Sequence, residues 1–255
     1  MIDVNVWLGH WPFRRLPDDE PAALVRRLKR LGVIEAWAGS FDAMLHHDLA
    51  AVNQRLVTAC RMHGPGLLRP FGAVNPLLPD WREDLRRCQD DHRMPGIRLH
   101  PNYHGYALDH PACAELLGEA ARRKLIVQIA LKMEDERTLN PLLKGLPTTH
   151  PAPLIGLLAR EPRPPVVLLN ALGNLRGEPL KRLLATGGIW VDIAMLEGLA
   201  GLERLIAQVG ADHLLFGSHA PFFHAESAHL KLKESALAPE QAEAIRQGNA
   251  RRLGM

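Results

Sequence analysis

The segment GIRLHPNYHGYALDHPACAELLGEAARRKLIVQIAL, Gly96 to Leu131, contains one complete structural unit. It opens on a short apolar run, GIRLH, passes through a stretch of helical period from Pro111 to Lys124, and returns to a second apolar run, LIVQIAL. Both runs are nearly continuous in apolar residues, the pattern of parallel strands covered on both faces. The same alternation extends in both directions. Runs begin near Ile2 (IDVNV), Val33 (VIEAWAGS), Leu67 (LLRPFGAVN), Gly96, Leu125, Val166 (VVLLNAL), Ile189 (IWVDIAM) and His213 (HLLFGSH), at intervals of 31, 34, 29, 29, 41, 23 and 24 residues. Helical period marks Pro21 to Leu31, with Asp18 or Asp19 as cap, and Met44 to Met62, Trp81 to His92, Leu199 to Val209 and Pro239 to Leu253. Eight βα units predict an α/β fold, a (β/α)8 TIM barrel, as one domain over residues 1–255. An open doubly wound sheet is the alternative, but open sheets usually carry fewer strands, and no GxGxxG follows the first strand. The Pro-rich stretch from Pro147 to Pro165 reads as a long connection within that domain.

Composition narrows the function classes. The 255 residues carry 31 Lys+Arg against 28 Asp+Glu, a formal charge of +3, with the excess scattered rather than gathered into the stripe a nucleic acid requires. Arg26-Arg27, Arg86-Arg87 and Arg122-Arg123 read as solvated helix faces. No apolar run approaches the roughly 18 residues of a membrane span. Three cysteines without metal-type spacing, and a start at Met1-Ile2-Asp3-Val4 without a basic region, fit a cytoplasmic protein. The expected partner is a small molecule. Trp81 and Phe222-Phe223 are candidates for a homo-oligomer contact.

In a barrel the site lies at the C-terminal strand ends. Asn5 and Trp7 share a face of the first strand, and Arg98 and His100 share one on the fourth, before the loop Pro101-Asn102-Tyr103-His104-Gly105-Tyr106. The fifth strand offers Gln128, Ala130 and Lys132, followed by Glu134-Asp135-Glu136, which reads as the acidic start of a helix. The sixth ends in Asn170, the seventh in Asp192, and the eighth in Gly217-Ser218-His219, with His224 and Glu226 beyond.

With these positions set out, the chain resembles the amidohydrolase superfamily, in the amidohydrolase 2 branch that includes aminocarboxymuconate-semialdehyde decarboxylase and dicarboxylate lactonases. IDVNVWLG (Ile2 to Gly9) is similar to that branch's opening Ile-Asp-x-His-x-His-x-Gly. LLFGSHAPF (Leu214 to Phe222) is similar to Leu-x-Gly-Ser-Asp-x-Pro-Phe, and Gly248-Asn249-Ala250-Arg251-Arg252-Leu253 to the closing Gly-Asn-Ala-x-Arg-Leu. The resemblance implies a metal held by the paired His, a His ending strand five or six, and the Asp of strand eight. Here those positions hold Asn5, Trp7, Ala130, Asn170 and His219, of which only His219 is a competent zinc donor. No metal is therefore expected. Zinc or another divalent ion would require a site rebuilt from His10, His100, His104, His219 and His224 with Glu226.

The resemblance implies a hydrolase acting without metal on a small polar or carboxylated substrate of lactone, amide or ester type. In that scheme His219 is a base, Arg98 an anion-stabilising group and His100 an acid. Asn5, Trp7, Tyr103, His104, Lys132 and Asn170 bind the substrate. A nonoxidative decarboxylase of the same branch, and a barrel that binds without reacting, are the alternatives. Each residue also has a structural reading. Arg98 can pair with Asp192 or Glu134, His100 can bond a loop carbonyl, Trp7 and Trp11 can be core, and Tyr103, His104 and Tyr106 can be loop packing around Gly105.

Overall fold

A computed structural model describes residues 1–135, 137, 139–159 and 161–254. The strands are β1 (Ile2–Leu8), β2 (Glu35–Ser40), β3 (Leu68–Pro70), β4 (Gly72–Ala73), β5 (Gly96–Leu99), β6 (Ile126–Ala130), β7 (Val166–Leu169), β8 (Ile189–Asp192) and β9 (Leu214–Leu215). All pairs are parallel, in the order β1-β2-β3 and β4 through β9. The third predicted strand is split because Pro70 has no N–H to donate. The chain nevertheless continues through Phe71, whose N–H bonds Ala38 O at 2.8 Å. Bonds from Val4 N to Phe216 O (3.0 Å) and Trp7 N to Ala220 O (2.8 Å) join the last strand to the first. Eight strand positions thus close into a (β/α)8 barrel.

Alternation along each strand produces two apolar layers. Ile97, Leu99, Val127, Ile129, Val166, Leu168, Ile189 and Val191 face outward against the helices. Val167, Leu169, Ile126, Phe71 and Leu215 fill the ring. The helices are shorter than their periodic signals. Pro21–Arg30 starts at Glu20, because the carboxylates of Asp18 and Asp19 turn to Arg27 and Arg15 instead of capping. Phe41–Met44 is a separate 3-10 turn before Leu49–His63, and Trp81–Arg86 and Pro239–Glu243 each continue as one π turn. Arg27 is not solvated: only 21% of its side chain is exposed, and it is tied to Glu226 and Asp18. Of the candidates for a contact with a second copy, Trp81 and Phe222 are buried and Phe223 is half-buried. Among the described residues, no helix is long and apolar enough to cross a membrane.

One irregularity organises the interior. β1 carries an extra residue between Asp3 and Val6 relative to β2, a bulge that re-aims side chains and leaves main-chain groups unpaired. Asp3 accepts the freed Asn5 N–H at 3.1 Å. Arg98, wholly buried, takes the carbonyls of Val6 (2.9 Å) and Val4 (3.4 Å), together with Trp37 O (2.9 Å) and Gln128 Oε1 (2.8 Å). It does not ion-pair with Asp192 or Glu134, because its hydrogens go to main-chain carbonyls and to Gln128. Burial lowers its pKa to about 9, which leaves it charged at neutral pH. Gly39 is required beside it: a Cβ there would lie 2.6 Å from Nη1 and 2.9 Å from Cδ of a side chain pinned at every nitrogen. Gly39→Ala is therefore expected to cost about 1–3 kcal/mol, the range for overpacking a tight core. Urea unfolding measures this, and an unchanged midpoint would show that the guanidinium has room to move.

Candidate functional site

At the C-terminal strand ends, Asn5, Trp7, Asn170, Asp192 and His219 form one buried hydrogen-bond network. Asn5 Nδ2 donates to Asn170 Oδ1 (2.8 Å) and Asp192 Oδ2 (2.7 Å). Asn170 Nδ2 donates to Lys132 O (2.6 Å) and reaches His219 Nδ1 at 3.2 Å. The Trp7 indole N–H is shared between Asn5 Oδ1 (2.8 Å) and His219 Nδ1 (3.2 Å). His219 Nε2 lies 2.7 Å from Met133 O, which only accepts, so Nε2 carries the ring hydrogen and Nδ1 supplies the lone pair. Every amide, indole and imidazole hydrogen in the set thus has an acceptor. Asn170 (φ 60°) and His219 (φ 57°) are both left-handed, a conformation that persists where surrounding contacts over-determine it.

An aromatic lid covers this network. Trp7 lies parallel to Phe41 with centroids 5.6 Å apart, and the Arg98 guanidinium carbon sits 4.4 Å from its ring. Phe222 stacks on His219 at 5.0 Å and meets Trp11 edge-on at 5.1 Å. Trp7 and Trp11 thus spend their faces on side chains of the chain itself.

The three residues read as catalytic share Trp7 as a neighbour: His100 lies 5.5 Å and His219 6.2 Å from it, ring to ring. All three are fully buried. Burial lowers the pKa of His219 to about 3 and that of His100 well below the ordinary imidazole range, with His104 and Arg98 adding repulsion to His100. Among the described residues, His100 Nδ1 has no hydrogen-bond partner. His104 bonds Ala43 O through Nε2 at 2.9 Å, and burial lowers its pKa too. Asp3 and Asp192, equally buried, are both raised to about 6.

Open space lies to one side, over the ends of β6 and β7. A cleft of about 570 Å³ is lined by Asn102, Tyr103, Lys132, His150, Asn170 and Asn174 among others, with Leu139, Leu143 and Leu146 as an apolar wall. Tyr103, Lys132 and Asn170 of the predicted binding set meet there, whereas His219, Arg98, His100, Asn5, Trp7 and His104 do not border it. A second hollow of about 530 Å³ lies in the helical layer at Leu117, Pro153 and Arg163, away from the strand ends. Glu134 does not start a helix. Its buried carboxylate accepts the Trp11 indole N–H at 2.7 Å and faces Arg14, Asp135 pairs with Arg137, and Glu136 lies outside the described residues. Sequence reasoning missed Glu134 as this partner, although a buried Trp11 requires an acceptor. It names Gln128 on the fifth strand without giving it a role, and it misses Phe41.

The amidohydrolase family model matches residues 5–253. The chain belongs to the amidohydrolase family. No curated protein matches this amidohydrolase-family chain. Among solved structures it is similar to an uncharacterized TIM-barrel protein from Bordetella bronchiseptica (14% identity, TM-score 0.75, 99% of this chain and 97% of that one). It is similar also to the 2,6-dihydroxybenzoate decarboxylase of Rhizobium (16%, 0.72, 99% and 98%) and to the 5-carboxyvanillate decarboxylase of Sphingomonas paucimobilis (14%, 0.71, 89% and 81%). At these identities the likeness establishes the fold.

The donors at the family's metal positions do not fit a divalent ion. Trp7 offers a hydrogen where a lone pair is needed, Ala130 offers nothing, and the one imidazole lone pair already receives two N–H groups. The five histidines weighed for a rebuilt site do not converge. His224 and Glu226 contact Arg27, His104 bonds Ala43 O, and His10 faces Asp19 and Glu20 at 3.4 and 3.6 Å. Among the described residues, His10, Asp19 and Glu20 alone bring three ligand atoms within 4.8 Å of one another, and Arg15 already pairs with Asp19 at 2.9 Å.

Acid should loosen this arrangement. His219, His100 and His104 are held neutral in the fold but protonate near pH 6.5 when unfolded, so their contribution is lost as pH falls below that value. Asp3 and Asp192, raised to about 6, act oppositely and gain as they protonate. The imidazoles thus favour the unfolded chain as pH falls through 6.5, and the two carboxylates offset part of that loss from about pH 6 downward. His219→Asn, an amide that tolerates the left-handed backbone, should flatten that limb in urea unfolding at pH 7, 6 and 5. An unaltered slope would mean that His219 titrates normally.

Proposed function

We propose that this chain is a binding protein for a small carboxylated molecule, an amidohydrolase-type barrel that no longer uses the reaction centre at its mouth. The observation that carries the reading is the commitment of both His219 nitrogens, Nε2–H to Met133 O and Nδ1 to the Trp7 and Asn170 donors. A base must offer a lone pair to a substrate or water within hydrogen-bond reach, and this one is spent inside the protein under Phe222. The side cleft supports the ligand class. Lys132, whose charge also acts on Asp135, and Lys144 supply positive charge for a carboxylate beside Glu134; Asn102, Asn174 and His150 supply further polar groups, and Tyr103 with the leucine wall suits an apolar or planar body.

A second reading is nonoxidative decarboxylation of such an acid, favoured by similarity to the dihydroxybenzoate and carboxyvanillate decarboxylases. Both readings need a bound carboxylate; only the second consumes it.

Calorimetry with benzoate, 2,6-dihydroxybenzoate and aliphatic dicarboxylates, each then incubated with enzyme-scale protein and assayed for CO2 and for lactone or ester hydrolysis, separates them. The binding reading expects saturable carboxylate binding, weakened roughly ten- to hundredfold by Lys132→Met, the loss of one charge-assisted bond of about 1.5–3 kcal/mol, with the ligand recovered intact. Release of CO2 establishes the decarboxylase, hydrolysis overturns both readings, and failure of every carboxylate to bind overturns the ligand class.

A further inference from the structure

We propose that the Trp7 indole N–H, backed by the Arg98 guanidinium, is a built-in substitute for a divalent cation: it ties the strand ends together as an ion would and excludes the ion from the mouth. The proposal is independent of what occupies the cleft.

A coordinated cation gathers lone pairs from several strands at one point. Here one hydrogen does this. Trp7 Nε1 lies 2.8 Å from Asn5 Oδ1 and 3.2 Å from His219 Nδ1, linking β1 to the segment after β9. Asn5 Nδ2 passes the link to Asn170 after β7 and Asp192 on β8, and Asn170 N also faces Asp192 Oδ1 at 3.3 Å. Four strand ends are thereby joined through neutral donors.

Charge follows the same logic. The Arg98 carbon stands 4.4 Å from the Trp7 ring centre, and its guanidinium is held by main-chain carbonyls and Gln128 rather than by a carboxylate. A divalent ion entering beside the indole would meet a like charge in a dry interior, where such repulsion is weakly screened. It would also have to displace two N–H groups from the His219 lone pair. Asp192, the carboxylate of the network, is already engaged by Asn5 and by the Asn170 and Ala194 N–H groups.

The test is metal content and zinc and manganese titration of tag-free protein prepared without chelator, beside two variants. Wild type should hold substoichiometric metal, with Tm unmoved by EDTA. The triple variant Asn5→His, Trp7→His, His219→Asp should take up one equivalent and melt higher with the ion than without it. A full equivalent in wild type that survives His10→Ala, the change that removes the surface cluster, overturns the proposal, as does a folded triple variant that takes up nothing. If the triple variant does not fold, Trp7→Phe decides. Loss of the N–H with the ring retained should lower Tm by several degrees, and an unchanged Tm overturns the substitute role.

Discussion

The barrel mouth rests on the pairing of every buried hydrogen-bond donor with an acceptor. In a buried set, each N–H needs a lone pair, and an unmade bond costs about 1–3 kcal/mol. Asn5, Trp7, Asn170 and His219 meet this demand mutually, with main-chain carbonyls taking what remains. The consequence is chemical as well as structural. On the reading proposed above, a lone pair that satisfies an indole and an amide is withheld from water, and the imidazole serves as an acceptor. The left-handed backbone at Asn170 and His219 is the local cost of turning both side chains to the same point.

A second constraint lies one layer deeper. The β1 bulge frees main-chain carbonyls, Arg98 collects them, and Gly39 leaves the guanidinium its space. Arg98 then serves as the surface on which Trp7 lies. The bulge, the arginine and the indole form a stack, so the fold of the first strand and the occupancy of the mouth are one problem. This arrangement also accounts for the side position of the cleft: with the axis filled by Trp7, Phe41 and Phe222, the cleft lies over the ends of β6 and β7.

Much of the fold was legible because it is written in periodicity. The eight apolar runs became the barrel strands, and only Pro70 interrupted one of them. Helix ends were less legible, since Asp18 and Asp19 have competing partners in arginines distant or near in sequence, and π turns leave no compositional mark. The family was legible in LLFGSHAPF and IDVNVWLG, where the backbone geometry of strand ends requires specific residues. The site was legible only as a set of positions. Sequence gives no account of which lone pairs are already used: Arg98 was weighed against Asp192 and Glu134, yet apart from Gln128 its partners are main-chain carbonyls, which every residue carries. Likewise Glu134 read as a helix start because its true partner, Trp11, is 123 residues away.

The account turns on a neutral, fully bonded imidazole at position 219. Long-range 1H–15N correlation spectra of the histidine rings, recorded from pH 8 to pH 4, observe it directly. His219 should appear as a single tautomer with hydrogen on Nε2, unchanged down to the onset of acid unfolding. A ring that exchanges between tautomers, or that gains a proton near pH 6.5, would contradict it.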